Sequence, residues 1–175
     1  MLRSIIQLPN FRWLWLGQTL VLSASQFWFV TLTWLVLQKT GSGFAVGTTL
    51  MAAAIPRGLF MLIGGAIGDR LPTNYVAAIA AFLNMVLSSA IALMLFMDVF
   101  NLNLIVVIAA LFGLLEAFFY PAILALLPKL ISKPRLAEAN AWMQGSEQIT
   151  NVIGPATAGI VIGVFGLPLA FMLDK

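Results

Sequence analysis

The sequence predicts an all-α membrane protein with about five transmembrane helices. Three observations predict it. Hydrophobic residues make up 62% of the 175 and charged residues only 9%, whereas a water-facing domain carries roughly 25% charge. The apolar residues fall into long runs, each near the ~20 needed to cross about 30 Å of hydrocarbon. The runs show no period-2 alternation of the barrel kind. Backbone polar groups cannot stay unpaired in lipid, so such runs must be helical.

Polar breakers divide the chain into runs at residues 11–37, 44–68, 75–97, 104–127 and 136–165, together a single transmembrane domain over 1–175. Gln38-Lys39-Thr40-Gly41-Ser42-Gly43 closes the first run. Asp69-Arg70-Leu71-Pro72-Thr73-Asn74 closes the second, and Asp98 the third. Pro128-Lys129 and Lys133-Pro134-Arg135 bound the linker before the fifth. Five crossings place Arg3, Arg12, Arg70, Lys129, Lys133 and Arg135 on one side, and Lys39 and Lys175 on the other. Cations collect on the cytoplasmic side, so the N-terminus is expected inside. The first run is too long for a signal peptide and lacks a small-residue cleavage site, so it reads as a retained helix.

Several functions are disfavoured. Cysteine and histidine are absent, which removes disulfides, thiol chemistry, His or Cys metal sites and histidine acid–base catalysis. No acidic pair converges, so an enzyme is not expected. The net charge of +3 is dispersed, without the basic face that a nucleic acid would need. No cofactor motif appears, and no Gly-rich loop with Lys and Ser/Thr for a nucleotide. The expected partner is the lipid bilayer.

Ionisable groups within a span cost about 2.5–3.5 kcal/mol each at the centre and are functional candidates. Arg57 and Glu116 lie near the middle of the second and fourth runs, at similar depth, and are expected to pair; the pair can serve as a gate or coupling element, or only hold the bundle. On the fifth run Asn140, Gln144, Glu147, Asn151, Gly154 and Ala158 are spaced by four, three, four, three and four, which keeps them on one stripe of a helix. This is a candidate polar path with Glu147 as its ionisable member; a wet cytoplasmic helix end gives the same pattern. Pro56, Pro121 and Pro155 fall inside runs, where proline loosens the backbone. Glycines four apart (Gly43 and Gly47, Gly64 and Gly68, Gly159 and Gly163) suit close helix packing.

The stretch Gly64-Gly65-Ala66-Ile67-Gly68-Asp69-Arg70 resembles the loop signature between helices two and three of the major facilitator superfamily. Asn10-Phe11-Arg12 with Leu14-Trp15-Leu16-Gly17-Gln18 is similar to the first-helix start of its drug-efflux-like branch. Tyr120-Pro121-Ala122 with Ala125-Leu126-Leu127-Pro128 resembles that branch's fourth helix, and Leu136-Ala137-Glu138-Ala139-Asn140-Ala141 the start of its fifth. Gly154, Pro155, Ala158 and Gly159 resemble the exporter signature of the fifth helix. The arginine many proton antiporters carry in helix four is absent; Glu116 is the charged residue there.

The resemblance implies that the chain forms most of the N-terminal six-helix bundle of a major facilitator fold, as an N-terminal fragment of a longer transporter. It implies a conformational signature at Gly65, Gly68, Asp69 and Arg70. It implies a secondary exporter of small amphipathic molecules in the plasma membrane, coupled to an ion gradient. The small-molecule substrate is that of the full-length parent. The chain is expected to be inactive without the missing C-terminal helices or another chain. The alternative is a small oligomeric membrane structural or assembly protein.

Overall fold

A computed structural model describes residues 5–68 and 72–165. Five long helices run through them: α1 Pro9–Thr40, α2 Gly43–Gly68, α3 Thr73–Phe96, α4 Leu102–Leu130 and α5 Leu136–Phe165. Short 3-10 turns at Ile5–Gln7 and Lys133–Arg135 precede α1 and α5. No strand occurs among the described residues.

The helix ends follow local chemistry. Pro9 opens α1, where a missing N–H costs nothing, and Gly41 closes it at φ 63°, its N–H bonding to Leu37 O. That left-handed turn favours glycine. Asn101 caps α4 by accepting the Leu104 N–H. The expected stop before Pro128 is passed, and α4 continues to Leu130. A proline in the last turn deletes only one bond of a helix already ending.

Four helices, α1 to α4, are long and apolar enough to cross a membrane. The fifth has 30 residues, about 45 Å at 1.5 Å per residue, also enough to cross about 30 Å of hydrocarbon. Four of the five expected crossings are therefore marked by apolarity and the fifth by length.

The packing is paired. The chief partner of α2 is α4, that of α1 is α5, and α3 lies along α4. Two apolar cores result. One joins Trp28, Leu32 and Leu35 of α1 to Ile105, Ala109 and Phe112 of α4; Trp28 and Phe112 stack with ring centres 3.8 Å apart. The other joins Phe11 to Phe119, Ile123 and Leu127 of α4 and Met143 of α5. Between the two cores, along α1 and α4, lie Ser25 and Glu116, both buried. Large apolar side chains such as Leu62, Phe82, Val107 and Ile160 point outward, as lipid permits.

Two of the three glycine pairs do not mark the tightest contacts; the surroundings of Gly64 and Gly68 lie outside what the structure describes. A Cβ added at Gly43, Gly47, Gly159 or Gly163 would meet nothing within 4 Å. The close approaches fall at two isolated glycines, Gly113 and Gly154.

Candidate functional site

The site is a polar level between the two cores, assembled in two steps. At Gly113, α4 comes so near α2 that an added Cβ would overlap the carbonyl of Ala53. One turn along each helix from that contact stand Arg57 and Glu116. The close approach brings them together, with Arg57 Nη1 2.8 Å from Glu116 Oε2. Glu116 is almost fully enclosed (side chain 8% exposed) and Arg57 is partly open, at 41%. The second carboxylate oxygen accepts the Ser25 hydroxyl at 2.5 Å. A buried carboxylate needs such partners, because its desolvation is otherwise uncompensated.

The second step joins α5. A Cβ at Gly154 would stand 2.7 Å from Gln26 Cβ, so the missing side chain lets α1 lie against α5. Beside it the Gln26 amide donates to Asn151 Oδ1 at 2.6 Å. Four residues before Asn151, Glu147 accepts the Tyr120 hydroxyl, at 3.1 Å to Oε2 and 3.4 Å to Oε1. Tyr120 follows Glu116 by one helical turn, so α4 carries a carboxylate and a phenol on one face. Four helices thus meet within about one helical turn of depth: Ser25 and Gln26 on α1, Arg57 on α2, Glu116 and Tyr120 on α4, Glu147 and Asn151 on α5.

The polar stripe of α5 divides. Glu147 and Asn151 reach other helices, whereas Asn140 donates to Leu136 O of its own helix at 3.0 Å and Gln144 is exposed. In the exporter-like segment, Gly154 and Ala158 are buried, Pro155 is half-buried and Gly159 is open. Gly65 and Gly68 lie in the last turns of α2, while Asp69 and Arg70 lie outside the described residues. Gly113 escapes a residue-by-residue reading, and Tyr120 enters it only through the fourth-helix resemblance. The available signal for Tyr120 was its position four residues after Glu116.

Two cavities lie in the bundle. One of 530 Å³ opens between α1, α2 and α5, lined by Phe29, Trp34, Leu50, Gly159 and Ile162 among others. The other, of 290 Å³, lies between α1, α3 and α4 and includes Ser25, Asn84 and Ser88; Asn84 Oδ1 is buried there without a hydrogen-bond partner among the described residues. No group of three metal-ligating side chains occurs among the described residues.

A bundle of long apolar helices around a polar level is that of a multi-pass membrane protein. The sequence matches the Major Facilitator Superfamily over residues 14–174. The chain belongs to that family of transporters. It is 27% identical over 171 residues to an uncharacterized MFS-type transporter of Sinorhizobium fredii, covering 98% of this chain and 42% of the relative. It is 21% identical to macrolide efflux protein A of Streptococcus pyogenes, over 94% of this chain and 41% of that protein. It is 30% identical to the multidrug efflux pump Tap of Mycolicibacterium fortuitum, over 78% of this chain and 35% of the pump. The chain spans about two fifths of the length of these relatives. No solved structure matches it.

Proposed function

We propose that the chain serves secondary export of small amphipathic molecules across the plasma membrane, driven by an ion gradient, with its N-terminus in the cytoplasm. The reading is carried by the polar level, in which Glu147 and Glu116 sit between apolar cores on helices that pack in two pairs. Efflux proteins among the relatives support the direction of transport. Glu147 is the coupling group in this reading. Its one hydrogen-bond partner among the described residues is the Tyr120 hydroxyl, so taking up a proton breaks no ion pair. Arg57 with Glu116 is a gate that ties α2 to α4. Alternating access rocks two bundles about a midplane site, so this bundle requires the helices that follow in its parent, or another chain.

The test has two arms. Everted vesicles from cells expressing the full reading frame around this chain are expected to accumulate a lipophilic dye until the proton gradient is collapsed. Glu147→Gln is expected to reduce that flux at least tenfold. Proteoliposomes holding the chain alone are expected to show none. Ion-driven flux that is unchanged by Glu147→Gln removes the coupling role. Absence of flux from the vesicles overturns the transport reading.

A further inference from the structure

Three hydrogen bonds join α1 and the turn before it to α5, and they run up both segments in the same direction. The Ile5 N–H donates to Glu138 Oε1 at 3.2 Å, Trp15 Nε1 to Ser146 Oγ at 2.5 Å, and the Gln26 amide to Asn151 Oδ1 at 2.6 Å. The first differs in kind from the other two. Its donor is backbone outside α1, in the 3-10 turn Ile5–Gln7, and it brings that turn against the first residues of α5, 133 positions away in sequence.

Glu138 joins three segments there. Its Oε1 holds the turn, while Oε2 accepts from Arg135 Nε at 3.3 Å and Nη2 at 3.2 Å, in the linker before α5. Beside this polar contact lies an apolar one. Ile5 is fully buried, in one core with Leu127 and Ile131 at the end of α4 and with Ala139 and Met143 of α5. Ile6 and Leu8 pack against the same core. The two contacts differ in how readily they yield. The Glu138 side chain is 44% exposed, so water competes for its hydrogen bonds. Ile5 can leave only by exposing its aliphatic side chain.

The start of α5 depends on this turn, because it buries little else. The chief partner of α5 is α1. The buried apolar side chains of α5 among the described residues are Ala139, Met143 and Ala158, whereas Trp142, Ile149, Val152 and Ile160 point outward. Over its first three turns only Ala139 and Met143 are buried, and both belong to the core that Ile5 enters. The neighbouring α4 is different, with buried residues along its length from Ile105 to Leu127.

We propose that the turn Ile5–Gln7 is a clasp on the α1–α5 seam. Seated, it ties the start of α1 to α5 and to the linker before it. Released, it lets the start of α5 leave the bundle while α1 to α4 stay packed. The clasp goes beyond the transport reading above, since it is a moving part and not a substrate or coupling group.

The chain contains no cysteine, so a single cysteine reports opening through its rate of alkylation. Ala139→Cys lies next to Glu138 in the core that the clasp closes, and Ala109→Cys lies in the other core; both alanines are fully buried. In the purified chain in detergent, both are expected to react slowly with N-ethylmaleimide. Adding Ile5→Ser or Glu138→Ala is expected to speed Ala139→Cys at least tenfold and to leave Ala109→Cys unchanged, which also shows that the remainder is folded. An Ala139→Cys rate that ignores both substitutions overturns the clasp. Equal acceleration at the two cysteines overturns it as well, because the turn would then belong to one cooperative core. Hydrogen exchange in the chain with Ala139 intact decides the case in which the cysteine itself opens the seam. The amides of Ile5 and Leu8, the latter bonded to Ile5 O at 3.0 Å, are expected to lose protection together in Glu138→Ala, with those of α4 unaffected. Protection that survives Glu138→Ala, or that falls in α4 equally, refutes the clasp. Neither readout uses flux, so the transport reading stands or falls separately.

Discussion

Glu116 has its two oxygens held from different helices, by Ser25 of α1 and Arg57 of α2. Removing one member of a buried ion pair costs about 3–5 kcal/mol, because the other charge is left uncompensated. Arg57 is partly open, so water can take over some of its solvation and the loss falls toward or below the low end. Arg57→Met strands the buried carboxylate, whereas Glu116→Gln strands the half-open guanidinium. Thermal unfolding in detergent is therefore expected to show the larger drop for Arg57→Met. The double variant Arg57→Met with Glu116→Gln is expected to recover most of it. Equal losses in both single variants, with no recovery in the double, would show that the two side chains act separately. Tyr120→Phe removes a single donor and is expected to cost only about 1 kcal/mol in stability, yet to change the response of flux to Glu147. The depth of Arg57 and Glu116 could be counted along the sequence, since charges stand out in apolar runs. Ser25 could not be picked out, because a serine or threonine hydroxyl in a membrane helix more often bonds its own backbone, as Thr19, Ser23 and Thr31 do here.

Helix boundaries were legible for a simple reason: breakers such as Gly41 and the Asn101 cap impose local geometry that no distant contact has to supply. Helix partners were not, because apolarity on all sides does not say which face meets which. Glycines four apart suggested the contacts, but a pair on one helix says nothing about the opposing surface. Gly113 faces the backbone of Ala53, which cannot move aside, and Gly154 faces the stem of Gln26. Gly113→Ala is therefore expected to destabilise by about 1–3 kcal/mol, the range for overpacking, and to pull Arg57 away from Glu116. Gly154→Ala is expected to cost less, since its overlap with Gln26 Cβ, at 2.7 Å, is milder than that of Gly113 with the Ala53 carbonyl. Gly159→Ala meets nothing within 4 Å and is expected to stay within about 0.5 kcal/mol of the parent. Chemical unfolding of the three variants in one detergent checks the order; a Gly159→Ala loss as large as that of Gly113→Ala would mean that helix propensity, not contact, sets the effect.

At the scale of the whole molecule, contacts at the two ends sort the loops. Lys39, in the last turn of α1, meets Asp98 after α3, so the α1–α2 and α3–α4 connections share one end. At the other end the Ile5 N–H donates to Glu138 at 3.2 Å, Arg135 pairs with Glu138 at 3.2 Å, and Lys129 lies 3.5 Å from the Thr73 hydroxyl. That end carries Arg12, Lys129, Lys133 and Arg135, against Lys39 alone at the first among the described residues. Positive charge resists transfer across the membrane, so the proposed orientation sets the richer end in the cytoplasm. The chain contains no cysteine, so single cysteines report position without background. Ser42→Cys and Asn103→Cys are expected to react with a membrane-impermeant maleimide in intact cells, and Ser132→Cys only after permeabilisation. None of the three positions joins the polar level, so the labelling reads orientation rather than damage to the site. The reverse pattern would put the N-terminus outside and turn the cavity between α1, α2 and α5 toward the cytoplasm.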